Sequence, residues 1–500
     1  MTRRWAGPAL VLVLASTAAC GTTVDNTAGV RATQSGSGLS VPTAAPSTGV
    51  TDRAGSARSG PTGGVGQSIS VGDGPAPVAS GPAPSVAPGT GPVAGSSGPI
   101  KVGFMYSVND AAETAGVDNN TSINGGNVMR ALVASYNHDG GFAGRRIDPV
   151  YAFIRSSSND FEGDLAAACA KLTQDNHVAA VISAIGLYSE SFYACLAKSG
   201  TPVIAGDTGP DLYDARAFPN LFTPDSMLGD TRVIEVVDRL HASGWLSSRD
   251  RMGVVIEDCP INQRIYANSL APELRRLGIA VAATAQPHCF QAISDLGAIS
   301  TEMGSAVVQF RQRGVTKVIF VSQAQEGTIA YEFMLAAGNQ GWYPGYALSS
   351  ASFATTLQTQ SGVPAREFRN ARGVGWSPPT DTVKRSDWTM TSTTRECMKQ
   401  VRAQGLRPST AIDDVYVETV CDPFVLYDAA LRSTRGDATA TAVQTGLRAA
   451  GRSFVSSYSV SGATGFWDHG RLTPAQGRMF SYVPAQGGFV YTGQPFNFGS

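Results

Sequence analysis

The 500-residue chain balances 38 basic against 39 acidic side chains, for a formal charge of −1, and 42% of its residues are hydrophobic. Without a basic cluster, nucleic acid is excluded as a partner. No apolar run reaches the roughly 20 residues that a helical membrane span needs. The five histidines are scattered and no Cys-x-x-Cys occurs, so neither a metal nor a cofactor is expected.

Arg3 and Arg4 precede an apolar run from Pro8 to Ala19, which ends at Cys20. A charged start followed by a short apolar stretch reads as a secretory signal over residues 1–20. Ala18 and Ala19 before Cys20 resemble a lipobox, although Thr17 stands where leucine is usual, so Cys20 is expected to carry lipid. Residues 21–98 are almost wholly Gly, Ser, Thr, Ala, Pro and Val. Such a segment cannot bury enough apolar surface to offset its conformational entropy. It is expected to be a disordered tether spanning roughly 50 Å.

The remainder is longer than one hydrophobic core usually serves, so two lobes are expected. Short apolar runs recur at Ile100–Tyr106, Pro149–Ile154, Val178–Ser183, Pro202–Ala205, Met252–Ile256, Ile279–Thr284 and Lys317–Val321. Continuous apolar character is what strands covered on both faces require, which implies parallel sheets flanked by helices. Between the runs, Asp230–Gly244 carries Val233, Ile234, Val237 and Leu240 as a helical stripe. The series is an α/β pattern in two blocks. Lobe 1 is expected over 99–222 plus about 378–460, and lobe 2 over 223–377 plus about 461–500.

The stretch Ala131–Phe153 reads as a helix end, a glycine-rich turn, a basic pair and an apolar strand. A phosphate-cradling loop has the opposite order, strand then helix. Gly140, Gly141 and Gly144 are therefore read as turn residues that supply left-handed backbone. Six cysteines follow Cys20: Cys169, Cys195, Cys259, Cys289, Cys397 and Cys421. An even number in an exported chain suggests three disulfides. Fifteen pairings are open, and the sequential one joins segments that the alternating pattern places side by side.

The run N-x-x-G-G-x-x-G-R-x-I at Asn137–Ile147 resembles the first helix-to-strand corner of type I periplasmic binding proteins, the family of the Leu/Ile/Val-binding proteins of ABC importers. Phe218–Pro224 resembles that family's first crossing between lobes, Arg372–Pro379 its return crossing, and Thr464–Thr473 its hairpin near the C-terminus. The resemblance implies a two-lobed α/β fold with a ligand cleft between the lobes. In open parallel sheets ligands bind beyond the C-terminal strand ends. The candidate ligand contacts are therefore Tyr106, Ser107, Tyr188, Ser189, Asp207 and Thr208 in lobe 1, and Asn262, Gln263, Gln323, Gln325 and Ser350 in lobe 2. Ser189 and Thr208 could equally be caps or turn residues, and Tyr106 and Tyr188 cleft-wall packing. Amino-acid binders of the family hold the ammonium with an acidic side chain of lobe 2. At that place this sequence has Ser350, so a neutral or amide-bearing ligand is as well supported as an amino acid.

No G-x-S-x-G elbow, H-E-x-x-H helix or P-loop is present, and no enzymatic activity is expected. Asp413 and Asp414 precede a helix, where carboxylates complement the macrodipole. The resemblance implies a monomeric, lipid-anchored extracytoplasmic solute-binding protein on the outer face of the membrane. It would capture a small polar ligand by closing and deliver it to an ABC permease, without a cofactor. A sensor module that signals through a partner protein, and a cell-wall structural protein with a vestigial cleft, are the alternatives.

Overall fold

Most of the continuous apolar runs become strands with both faces covered, but the runs Pro149–Ile154 and Ile279–Thr284 become edge strands that leave Phe153 and Val281 exposed. In a computed structural model, residues 98–108, 123–186, 188–206, 209–323, 326–359, 362–388, 390–457, 460, 466–468 and 471–499 are described. They belong to one of the two units into which the chain divides, the unit that holds Pro88–Ser500. The signal-like segment, Cys20 and nearly all of the tether lie outside the described residues.

Strands β1 (Ile100–Val108), β2 (Ile147–Arg155), β3 (Val181–Ala184), β4 (Val203–Ala205) and β5 (Leu221–Phe222) form a parallel sheet in the order β2-β1-β3-β4-β5. The second sheet takes β6 (Arg251–Ile256), β7 (Ala280–Ala285), β8 (Lys317–Val321), β9 (Gly345–Ser349) and β10 (Arg372–Gly375) as parallel strands. A small antiparallel pair, β11 (Phe466–Asp468) and β12 (Arg471–Thr473), falls within the expected C-terminal hairpin. After it, β13 (Gln476–Val483) and β14 (Gly488–Asn497) join the second sheet antiparallel, giving β14-β13-β10-β9-β8-β6-β7. The first block thus holds five strands where the sequence suggested four. The fifth, β5, lies inside Phe218–Pro224, and two residues are too few to show a period. Strand β10 likewise opens the expected return crossing.

Alternation along β1 sends Phe104 to one face of the first sheet and Met105 to the other, and the core there divides accordingly. Helices Gly125–His138, Ser392–Ala403, Ala411–Ser433 and Ala440–Ala450 cover the Phe104 face with Leu132, Cys397, Phe424, Tyr427 and Leu447. Helices Phe161–Ala170 and Glu190–Lys198 cover the other with Leu165, Phe192 and Tyr193. Around the second sheet the buried apolar residues form one cluster, from Val237 and Met252 to Phe480 and Phe489. The long helix Ala411–Ser433 buries Val420, Phe424 and Tyr427 and leaves Tyr416 39% exposed. Thr410 and Asp413 form a capping box at its start.

The glycine corner is geometric. Gly140, Gly141 and Gly144 have φ of 101°, 84° and 81°, and a Cβ on Gly141 would lie 1.9 Å from the Arg145 carbonyl oxygen. Asn137 closes the corner by pairing both its amide groups with the backbone of Ile147, at 2.7 and 3.0 Å. The three disulfides are sequential, Cys169–Cys195, Cys259–Cys289 and Cys397–Cys421, with Cα separations of 6.4, 5.0 and 6.1 Å. Each joins neighbouring elements within normal bridging reach.

Candidate functional site

The segment that follows β4 in the first sheet is in contact with residues that accompany the second sheet. After β4 the chain runs through Gly209–Asp214, and residues that accompany the second sheet hold it at successive positions. The Gln323 side-chain amide donates to the Gly209 carbonyl. The Gly229 amide donates to the Pro210 carbonyl at 3.0 Å. The Leu212 amide donates to Asp230 at 2.7 Å. Arg264 donates from Nε to Asp211 at 2.6 Å, from Nη2 to Asp214 at 3.0 Å, and from Nη1 to Glu190 at 3.3 Å.

Local chemistry puts these groups in place. Asp211 caps the helix Leu212–Ala217 by accepting from the Asp214 amide with Oδ1, which leaves Oδ2 for Arg264. Arg264 rides on the helix Pro260–Ile265, which begins with proline at its first position, directly after the disulfide-held Cys259. Tyr188, just after β3, donates its hydroxyl to Asp214 at 2.6 Å. Tyr213 lays its ring under the Arg264 guanidinium, 4.8 Å from the ring centre. Burial pushes the Asp214 carboxyl up to about 6, against the Tyr188 hydrogen bond, and the charge of Asp211 adds to the rise. Burial and then the Asp214 charge push the Tyr188 hydroxyl well above its ordinary value. For Arg264 burial acts downward, but the three carboxylates outweigh it and raise its pKa, so it stays charged.

Of the residues singled out from the sequence, Tyr188 and Gln323 enter these contacts. Asn262 is buried and donates to Glu257 at 3.2 Å, and Gln263 accepts from Gln286 at 3.1 Å. Ser189 caps the helix Glu190–Lys198, accepting from the Phe192 amide at 3.3 Å. Ser350 accepts from the Trp376 and Ser377 amides at 2.7 and 3.1 Å, where the chain returns between lobes. Tyr106 packs beneath the first helix, its hydroxyl accepting from Arg130 at 2.5 Å and its ring filling the space left by Gly126. Ser107 is half-buried at the end of β1. Asp207, Thr208 and Gln325 lie outside the described residues.

Sequence reasoning passed over Asp211, Asp214, Glu190, Tyr213 and Arg264. The spacing of Asp211 and Asp214 was a cap signal, but nothing local marks Arg264 as their partner. It also passed over Glu326, a buried acid at the start of the helix Glu326–Asn339 that accepts from Ser349 at 2.9 Å and from Ser352, with Arg232 at 3.4 Å. Glu257, Cys259 and Cys289 lie close together, but both sulfurs are spent in the disulfide. Glu257 accepts from Ser322 and the Phe290 amide, each at 2.6 Å, and burial pushes it up to about 7. A hollow of about 460 Å³ lies at the edge strand β7, bordered by Gln286, Glu302 and Gln309. None of the residues expected from the sequence lines it, and the polar contacts between the sheets mark the site better than this open hollow does.

No protein-family model matches the sequence and no curated protein matches it. The likenesses are structural. A possible leucine/isoleucine/valine-binding protein from Rhodopirellula baltica superposes with a TM-score of 0.57 at 13% identity, over 79% of this chain and 97% of that one. An ABC-transporter solute-binding protein from Rhodopseudomonas palustris, in complex with p-hydroxybenzoic acid, gives 0.57 at 10% identity, over 80% and 97%. An ABC-transporter substrate-binding protein from Desulfitobacterium hafniense, in complex with leucine, gives 0.52 at 18% identity, over 79% and 99%. Two sheets of this strand order, joined by crossings and matched over nearly the full length of these proteins, give the chain the two-lobed type I periplasmic-binding-protein fold.

Proposed function

We propose that the protein is an extracytoplasmic solute-binding protein that captures a small polar molecule by closing its two lobes and passes it to an ABC permease. The observation that carries this reading is the clasp on Gly209–Asp214. A segment at the strand ends of one lobe is gripped through hydrogen bonds and ion pairs by the other, and such contacts can be exchanged for water when lobes part by hinge motion. The structurally similar proteins described as binding leucine or p-hydroxybenzoic acid support a ligand of that size. In this proposal Cys20 anchors the protein to the outer face of the membrane, residues 21–98 form the tether, and the folded part works as a monomer. No helix among the described residues is long and apolar enough to cross a membrane.

The test is a thermal-shift screen of the chain from Gly98 onward against amino acids, small amides, aromatic acids, amines and polyols. Binding to the folded state alone stabilises it by about 2.7 kcal/mol at 100 times Kd. A saturable shift with one class supports the proposal, and a flat response across the panel from a cooperatively melting protein refutes it.

A further inference from the structure

The surroundings of Arg264 carry more chemistry than a latch between lobes requires. All three guanidinium nitrogens are engaged, each by a different carboxylate. Three carboxylates around one cation leave the group negative, although one acid would suffice to hold an arginine. The side chains of Asp211 and Asp214 are 2% and 0% exposed, and removing ionised carboxylates from water is costly unless cations meet them. Asp214 is also incompletely satisfied. Its Oδ2 takes both Arg264 and Tyr188, while its Oδ1 is buried without a hydrogen-bond partner.

The other unmet groups near the strand ends are mostly of the same kind. Gln323 donates its amide nitrogen to Gly209, which fixes its Oε1 as an unpartnered buried acceptor. Asn262 donates its nitrogen to Glu257, which does the same for its Oδ1. Gln263 Nε2 and Arg232 Nε are the counter-examples, buried donors without a partner. Tyr213, 60% exposed, offers an aromatic face beside the carboxylates. A carboxylate ligand would enter beside three carboxylates, and each nitrogen of Arg264 already faces one of them.

We propose that this site takes a cationic ligand, a primary ammonium or a guanidinium group, with Asp214 Oδ1 accepting its N–H and Tyr213 and Glu190 flanking the charge. This rests on the solute-binding reading and names the ligand class for it. In the open protein, Asp211, Asp214 and Glu190 of the first lobe meet the ligand cation. On closing, Arg264 returns to Asp211 and Glu190 while the ligand keeps the remaining Asp214 oxygen.

The experiment uses four probes that share a butyl chain and differ in the head: butylguanidinium, butylammonium, butanamide and butyrate. Each is titrated calorimetrically into the protein from Gly98 onward. The two cations are expected to bind, and the amide and the carboxylate to give no heat. Asp214→Asn, of the same shape, should weaken the cations by about tenfold or more, the loss expected for a hydrogen bond to a charged group. Glu190→Gln, at a side chain 45% exposed, keeps the test valid if Asp214→Asn does not fold, and should weaken them by a smaller factor. Butyrate or butanamide binding as tightly as the cations overturns the inference, as does cation binding that neither substitution changes. If the wider screen finds a neutral or anionic solute while both cations stay silent, the cation assignment falls and solute binding stands. Silence in both sets removes both.

Discussion

Two places where the lobes meet among the described residues are built from different materials. At the return crossing, Ser350 accepts from the Trp376 and Ser377 amides, Thr355 donates to the Pro379 carbonyl at 2.8 Å, and Asp381 accepts from the Ser377 amide at 3.0 Å and the Tyr491 hydroxyl at 2.7 Å. These are hydroxyls and backbone groups around one wholly buried acid. At the strand ends, Arg264 instead faces three carboxylates, and Gly209–Asp214 is held at successive positions. A joint that must persist through a hinge motion has to satisfy its polar groups internally, because a buried group left unmet costs about 1–3 kcal/mol. A face that must part does better with charges, which water solvates well once they separate. The joint is built to stay made, and the clasp to be remade.

The pH response separates the two most broadly. Burial pushes Asp381 at the joint and Glu257 and Glu367 in the second lobe up to about 7, and Asp214 in the clasp and Asp422 in the first lobe up to about 6. Their ordinary values lie near 4, so the folded protein holds protons that the unfolded chain releases. The stability tied to them is present below about pH 4 and is lost as pH rises through 6 and 7. Each group contributes a slope of up to roughly 1.4 kcal/mol per pH unit. The melting temperature should therefore fall between pH 5 and pH 8. A rise over that interval would contradict the burial of these acids.

Direct breakage of the joint comes next in size. Asp381→Ala leaves the Ser377 amide and the Tyr491 hydroxyl facing nothing, and should destabilise by roughly 3 kcal/mol. Asp381→Asn keeps the shape and an acceptor, so it should lose much less and should flatten the pH dependence above. Equal losses for the two, measured by denaturant unfolding, would mean that the carboxyl oxygens are not what holds the crossing.

Arg264→Ala strikes the clasp. It strands two buried carboxylates, but Arg264 is itself 23% exposed, so the loss should be nearer 2 kcal/mol than the 3–5 typical of a fully buried pair. Its distinctive sign is local. Hydrogen exchange should accelerate over Gly209–Asp214 and the particle should expand in solution scattering, while protection of β1, β3, β6 and β8 remains. Uniform loss of protection would make Arg264 an ordinary stabilising residue and the clasp no moving part.

Which of these features could be read from the chain depends on how local their causes are. The parallel strands, the corner glycines and the capping box at Thr410 and Asp413 follow from residue type at fixed spacing, and the sequential disulfides follow from the order of the elements. Side-chain partnerships across the cleft do not. Arg264 lies 53 residues from Asp211 and 50 from Asp214, and nothing in either neighbourhood announces the other. Hydroxyls were the most ambiguous signal. Ser189 and Ser350 stand after strands, where ligand-contacting serines also stand, yet their oxygens serve backbone amides here. Near Ser350 the buried acid is Glu326, which accepts from Ser349 and Ser352 and pairs with Arg232 from a helix far off in sequence.

The smallest effect tests whether the third carboxylate belongs to the clasp as a structural part. Glu190 reaches Arg264 at 3.3 Å with its side chain 45% exposed, the geometry of a solvent-screened ion pair, for which 0–1 kcal/mol is the usual range. Glu190→Gln should therefore shift the unfolding midpoint by no more than about 0.5 kcal/mol, and that small shift should vanish in high salt. A larger, salt-insensitive loss would place Glu190 with Asp211 and Asp214 among the groups that hold the closed form together. A negligible loss leaves its charge free to act on whatever enters between the lobes.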